Sequence, residues 1–136
     1  MSRTRACTTE IRRGRLRKAD QFLDASDLVR DLADEGGEIA DAYVTLCVHA
    51  GIAASDVICC ARLGEHAQGD DHSEAIALLA AANKDSAKHL RTLLSMKTKA
   101  GYSHTAATDD ECKRAGRAAA ALVETARRVQ AATSTP

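Results

Sequence analysis

Apolar residues recur at three- and four-residue steps along most of the chain, the spacing that places side chains on one face of an α-helix. The first such segment, residues 10–35, has its apolar positions at Leu16, Phe22, Ala25, Val29, Leu32 and Ala33. Residues 72–82 add a short apolar helix. Two later helices are predicted over residues 86–100 and from residue 109 to about 131, with apolar stripes at Ala87, Leu90, Leu93, Leu94, Met96 and at Ala115, Ala118, Ala119, Leu122, Ala126, Val129.

The segment 38–63 is apolar over most of its circumference, which is typical of a helix in the middle of a bundle. Its narrow polar stripe contains Asp41, Thr45, His49 and Asp56, with Cys59 on the same side. Polar groups on a central helix need hydrogen-bonding partners. We therefore expect Asp41, His49 and Asp56 to pair with a neighbouring helix, to contact a dimer partner, or to line a small binding pocket.

Glycines and capping residues mark the ends of the predicted helices. Helix-terminating glycines follow three of them, at Gly36-Gly37, Gly64 and Gly101. Asp71 with Glu74, and Thr108 with Glu111, have the spacing of a capping box that begins a helix. Short connections make neighbouring helices antiparallel, so the pattern predicts an all-α, up-and-down bundle of four to five helices over residues 10–132.

The composition favours tightly packed helices. Aromatic residues make up only 2% of the chain, so alanine, leucine and valine must fill the core. A chain of 136 residues is long enough for one domain. Because a small, alanine-rich bundle buries little surface by itself, we expect a homodimer formed through an apolar helix face.

Charge is concentrated at the start of the chain, although the net charge is zero. Residues 1–18 contain seven basic residues and one acidic residue. We predict a flexible basic arm over residues 1–9 and a disordered tail over residues 133–136. One function of such a basic region is binding a polyanion, with Arg12, Arg13, Arg15 and Arg17 as the contacts. The alternative is an arm that frays or lies on the acidic body of its own or a neighbouring chain.

Cysteine usage and hydropathy predict a cytoplasmic location. The five cysteines are odd in number and follow no framework spacing, so we expect reduced thiols. The basic N-terminus is not followed by an apolar core, as a secretory signal would require. Residues 42–63 come closest to a membrane span, but His49, Asp56 and Arg62 interrupt them, so no membrane association is expected.

Motifs for metals and cofactors are missing from the sequence. It contains no paired Glu-x-x-His segments for a di-metal bundle, no zinc-finger spacing, no glycine-rich phosphate loop and no nucleophile elbow. We therefore expect neither a metal nor a cofactor. Arg62 lies three residues after Cys59 and would activate its thiol if the two were in contact, but a buried, inert thiol is the expectation.

Two stretches together resemble a known superfamily. Residues 41–79 combine a long alanine-rich helix, a glycine-containing loop and a histidine that opens a short helix. Residues 93–126 combine a helix ending in basic residues, a small residue with a tyrosine, and a capped alanine-rich helix. This order is similar to the HEPN superfamily (higher eukaryotes and prokaryotes nucleotide-binding domains). The resemblance implies a dimerising bundle of four or five helices; many members are metal-independent endoribonucleases, often toxins of toxin–antitoxin or phage-defence systems.

The family signature is an arginine, four to six residues and a histidine, contributed to one site by two subunits. In this chain Lys99 and His104 fit the spacing with lysine in place of arginine, and Lys97 and Tyr102 fit a related form with tyrosine. The resemblance thus gives these four residues as catalytic candidates. Lysine cannot hold a phosphate through two parallel hydrogen bonds as arginine does, so we expect weak activity or none.

Three functional hypotheses follow from the sequence. The leading one is a non-catalytic binding and dimerisation module for RNA or for a protein partner of a toxin–antitoxin or defence system. The second is a metal-independent endoribonuclease with a Lys-x4-His motif. The third is a nucleic-acid binder that uses the basic N-terminal arm.

Overall fold

The computed structural model describes residues 3–134, which are 81% helical and form a helical bundle with a small two-stranded sheet. Within that range lie five α-helices, α1 (Thr9–Leu32), α2 (Ala40–Leu63), α3 (His72–Ala82), α4 (Lys84–Tyr102) and α5 (Asp109–Ser134). The strands are β1 (Thr4–Ala6) and β2 (Glu65–Ala67). The mostly helical class predicted from the periodicity is confirmed.

Local side-chain hydrogen bonds begin the helices where the sequence predicted them. The Asp71 carboxylate accepts a hydrogen bond from the backbone N–H of Glu74 at 3.0 Å. Thr108 and Glu111 form a complete capping box, because each side chain accepts from the other residue's N–H, at 3.1 and 3.0 Å. α1 ends earlier than expected, and Gly36–Glu38 form a 3-10 turn after it.

Helix α2 is the centre of the bundle, as its broad apolar surface predicted. It packs against α1, α3, α4 and α5. Val44, Cys47, Val57 and Ile58 are completely buried along it. A Cβ at Gly51 would collide with the Leu93 side chain of α4, so a residue without a side chain permits the close crossing of these two helices.

The predicted face of α1 is found only in part, because Leu16 and Phe22 pack against the core while other predicted positions do not. The fully buried residues of α1 are Ala19 and Ser26, whereas the predicted core residue Leu32 is 80% exposed. Leu32 lies about 120° around the helix from Ser26, which turns it away from α2. Leu28 is also exposed, at 60%. On α4 and α5, in contrast, every residue of the predicted stripes is buried.

The segment expected to be a flexible arm is built into the fold over its described residues. Strand β1 pairs antiparallel with β2, with Arg5 opposite His66. The N–H of Cys7 donates to the carbonyl of Gly64 at 2.9 Å. Cys7 and Cys60 form a disulfide, which joins the N-terminal segment to the end of α2.

The disulfide corrects the expectation that all cysteines are reduced thiols, although Cys47, Cys59 and Cys112 are free. Disulfides persist mainly in oxidising compartments. The Cys7–Cys60 bond therefore removes one of the grounds for a cytoplasmic location, which stays a prediction. At the other end of the chain, α5 extends to Ser134 and includes the first residues of the predicted disordered tail. Residues 135–136 of that tail lie outside the described residues.

By length and composition, α2 qualifies as a membrane-spanning helix, contrary to the expectation that no segment does so. Its mean hydropathy is 1.8 over the relevant stretch, and 67% of that stretch is buried inside the molecule. The central helix of a bundle meets the same criteria, because it too is surrounded by apolar side chains. The surrounding helices thus account for its apolar surface.

Candidate functional site

The two candidate catalytic lysines point to different parts of the molecule. Lys99 donates to the carboxylate of Glu111 at 2.7 Å, and this ion pair joins α4 to the start of α5. Lys97 instead lines a small pocket of about 100 Å³, together with Asp56 and His72. The structure therefore does not bring the two ammonium groups together within one protomer.

Tyr102 and His104 lie at the end of α4 and in the loop that follows it. Tyr102 is 83% exposed, and His104 is exposed as well. Asp41 holds this loop against the start of α2, because its carboxylate accepts a hydrogen bond from the N–H of Ala107 at 2.8 Å. The predicted pairing of Asp41 is thus found, and its partner is a loop rather than a helix.

Asp56 is the centre of a largely buried charge network. Its carboxylate accepts from Nε of Arg15 at 2.9 Å and lies 3.9 Å from Nδ1 of His66. Burial raises the pKa of Asp56 above its ordinary value, while the nearby Arg15 and His66 oppose this rise. The carboxylate also borders the small pocket that contains Lys97. The network joins α1, α2 and β2, and Asp56 is paired as the polar stripe predicted.

The remaining candidates from the basic segment and the polar stripe do not form one site. Arg15 is engaged by Asp56, and Nε of Arg12 is buried without a hydrogen-bond partner among residues 3–134. Arg13 and Arg17 are exposed on α1. His49 is also exposed, and its ring lies 5.5 Å from that of Phe22, centroid to centroid.

A groove that the sequence did not indicate lies between the end of α1, the start of α2 and the start of α5. It has a volume of about 520 Å³. We call it the basic groove, because three cationic side chains line it above an apolar floor: Arg30, Lys113 and Arg117 over Ile39, Tyr43 and Ala120. Asp109 also lines it. The end of α1 and the start of α5 are far apart in sequence, so only the fold brings these cations together.

The cations of the basic groove differ in how they are paired. Arg30 contacts the carboxylates of Asp31 at 3.3 Å and Asp27 at 3.5 Å on its own helix. Lys113 and Arg117 form no ion pair with any residue in the described range 3–134. They are one helical turn apart on α5, so both lie on the face of the helix that borders the groove.

Tyr43 and Gly116 shape the floor of the basic groove. Tyr43 is buried, and a Cβ at Gly116 would collide with its hydroxyl oxygen. Glycine at this position therefore lets α5 approach the tyrosine ring. Burial raises the pKa of Tyr43 to about 12, so the hydroxyl is uncharged at neutral pH and the floor has no charge of its own.

The free thiols have little nucleophilic character. Burial raises the pKa of Cys59 to about 12 and that of Cys47 to about 11, so both remain protonated at neutral pH. Along residues 3–134, no three side chains of histidine, cysteine, aspartate or glutamate are grouped as a metal site would require. The basic groove is therefore the most developed candidate for binding, and its chemistry is that of cations beside apolar surface.

Comparison with known proteins leaves the family open. No protein-family model matches the sequence, and no curated protein is significantly similar to it. The resemblance to the HEPN superfamily therefore remains a hypothesis that rests on residues 41–79, on residues 93–126 and on the helical bundle.

Proposed function

We propose that this protein is a HEPN-like, homodimeric binding module without catalytic activity, and that its basic groove receives an acidic, amphipathic helix from a partner protein. The apolar side of that helix would lie on Ile39, Tyr43 and Ala120, and its carboxylates would pair with Lys113 and Arg117. Recognition of an amphipathic helix in a groove is a common mode of peptide binding.

The observation that carries this proposal is the combination of apolar floor and unpaired cations in one groove. The apolar floor provides affinity, because a helix bound to it removes apolar surface from water. Lys113 and Arg117 provide selectivity for negative charge, because they have no partner of their own within residues 3–134. A ligand that satisfies both features has carboxylates along one edge of an apolar face.

The groove suits a protein segment better than RNA. Its aromatic residue, Tyr43, is buried in the floor and offers no exposed ring on which a base could stack. Asp27, Asp31 and Asp109 lie at or near the groove and repel a backbone that carries a charge on every nucleotide. A peptide can place its carboxylates only opposite the cations.

Two contacts support a non-catalytic role. The ammonium of Lys99 is held by Glu111, whose carboxylate also accepts from the N–H of Thr108. This lysine is therefore already engaged by a carboxylate of its own chain. Lys97 faces the small pocket on another side of α4, which separates it from Lys99 and from the loop containing His104.

A pair of designed peptides tests the proposed ligand class. Both would be amphipathic helices of the same apolar sequence, one with glutamates and the other with lysines flanking the apolar face. We expect the acidic peptide to bind and the basic peptide to bind at least tenfold more weakly in fluorescence anisotropy titrations. Equal affinities, no binding of the acidic peptide, or preferential binding of a single-stranded RNA oligonucleotide would contradict the proposal.

Charge reversals locate the binding to the groove. Lys113→Glu and Arg117→Glu should each weaken the acidic peptide about tenfold, which corresponds to about 1.4 kcal/mol. Arg114→Glu is the matched control, because Arg114 is exposed on the same helix and does not line the groove. Equal losses in all three variants would assign binding to general charge rather than to this site.

The absence of catalysis is tested separately. Purified protein incubated with RNA in the presence of EDTA should leave the RNA intact, and His104→Ala should behave like the wild type. Degradation by the wild type that His104→Ala abolishes would favour the endoribonuclease hypothesis over the binding module.

A further inference from the structure

The outer face of α1 carries exposed apolar side chains and charges that have no partner among the described residues 3–134. Opposite its buried residues Ala19 and Ser26 runs a stripe that we call the outer stripe, consisting of Gly14, Arg17, Gln21, Asp24, Leu28 and Leu32. These positions recur every three or four residues, so they form one continuous face along the helix.

The apolar part of the outer stripe is unusually exposed. Leu28 and Leu32 are 60% and 80% exposed, and they lie one helical turn apart at the C-terminal end of α1. Burial of these two leucines against a partner would be favourable by roughly 25 cal/mol per Å² of apolar area removed from water. An exposed apolar patch beside charged residues is typical of an interaction surface.

The charges along the same face are separated by sign. Arg17 lies toward the N-terminal half of α1, and Asp24 lies toward the C-terminal half. Arg17 and Asp24 are about 10 Å apart along the helix axis, which is too far for a direct contact. Within the described residues 3–134, neither of these two residues forms an ion pair.

We propose that the outer stripe is the homodimer interface, in which α1 of one copy packs antiparallel to α1 of a second copy across a two-fold axis at Gln21. In this register Arg17 of one copy lies opposite Asp24 of the other, because both residues are on the same edge of the outer stripe and at similar distances from Gln21 along the helix. Because a two-fold interface repeats every contact, the pair of charges is formed twice. The separation of sign along α1 is what an antiparallel pair of identical helices requires.

The shapes along the stripe are complementary in the same register. Leu28 of one copy lies opposite Gly14 of the other. The space where a Cβ of Gly14 would lie is open except for the end of the Arg17 side chain, 3.7 Å away. The missing side chain therefore leaves a depression that a leucine can occupy, and the charges at the centre fix the register between the two depressions.

This inference names the interface of the dimer that the proposed function includes, but it does not depend on the basic groove. Arg30, the only residue of α1 that lines the groove, lies nine residues from Gln21 and so on the opposite side of the helix. The groove stays open in the dimer. Peptide binding and self-association are consequently separate measurements, and either can fail alone.

Sedimentation equilibrium of charge-reversed variants tests the interface. The wild type should be a dimer. Asp24→Lys places a lysine opposite Arg17 of the other copy at two symmetric positions and should weaken self-association at least tenfold. Leu28→Asp should have a similar effect because it places a charge in each depression. The double variant Arg17→Asp/Asp24→Lys restores opposite charges and should restore the dimer. Circular dichroism of each variant checks that it is folded.

A variant with the same change of net charge on another helix is the control. Glu124→Lys on α5 should remain dimeric, because Glu124 is not part of α1. A monomeric wild type, a dimer that persists in both Asp24→Lys and Leu28→Asp, or a double variant that remains monomeric would each overturn the proposed interface.

Discussion

Gly51 lies where α2 crosses α4, and the two helices are close there because glycine has no side chain. A Cβ at this position would collide with the Leu93 side chain and lie 3.2 Å from Cδ1 of Leu122. Both leucines are completely buried, so neither can move into solvent. The sequence alone suggested no role for this glycine, since it sits within an apolar run and not at a predicted helix end.

We predict that Gly51→Ala destabilises the protein by roughly 1 to 3 kcal/mol, because overpacking a core costs more than the helix propensity of alanine provides. Urea unfolding measures the free energy. Gly101→Ala is the control, because Gly101 is also in a helix and its added Cβ would meet nothing within 4 Å. Gly101→Ala should be neutral or stabilising; similar losses in both variants would contradict the role given to the crossing.

Glu111 connects a capping box to an interhelical ion pair. The hydrogen bond from Lys99, together with those from Thr108, lowers the pKa of Glu111 from 4.5 to about 2. Because the folded state favours the ionised form, its stabilising contribution is complete above about pH 4.5 and is lost as the pH falls toward about 2. The capping box was predictable from its spacing, but the contact with Lys99 was not.

We predict that Glu111→Gln is less stable than the wild type at pH 6 and that the difference narrows as the pH is lowered to 3. Glutamine keeps the capping-box geometry, so this variant removes the charge more than the cap. Urea unfolding at a series of pH values provides the comparison. A difference that stays constant over that range would show that the charge of Glu111 is not responsible.

At the scale of elements, long-range contacts hold the N-terminal segment in the fold, although the local sequence predicted a free arm. Seven basic residues near the start predicted a free arm, yet β1 pairs with β2 and Cys7 is bonded to Cys60. The bond closes a loop between residues separated by 53 positions. Nothing in the local sequence around either cysteine identifies the other as its partner.

We predict that the double variant Cys7→Ser/Cys60→Ser loses about 4 kcal/mol of stability, because the cross-link reduces the entropy of the unfolded chain. Cys112→Ser is the control and should change stability far less. Titration of the denatured, unreduced wild type should give three thiols, corresponding to Cys47, Cys59 and Cys112. Five thiols, or equal stability of the double variant under non-reducing conditions, would contradict this account.

Helix α1 was predicted in position, and its orientation was predicted only in part, because Leu16 and Phe22 pack against the core and Leu32 does not. Its length is close to the prediction, whereas its buried face is set by Ala19 and Ser26 rather than by Leu32. The apolar residues of α1 extend around the helix, so periodicity alone permitted more than one buried face. On α5 the stripe contains only buried apolar residues, and the prediction for that helix is confirmed.

At the scale of the whole molecule, the proposed α1-mediated dimer would link stability to concentration. A dimer that unfolds to monomers becomes more stable as protein concentration rises. We predict that the thermal unfolding midpoint of the wild type increases over a hundredfold range of concentration, while that of Asp24→Lys changes little. Differential scanning calorimetry measures both. A wild-type midpoint independent of concentration would exclude a dimer that dissociates on unfolding.

The sequence by itself determined the helical class, the central position of α2, most helix boundaries and the core faces of α4 and α5. Each of these depends on residues within a few positions of one another, through periodicity and capping. The tertiary structure alone decided the Cys7–Cys60 bond, the Asp56 network, the outer face of α1 and the basic groove. These features join residues from different elements, and their geometry exists only after the helices have packed.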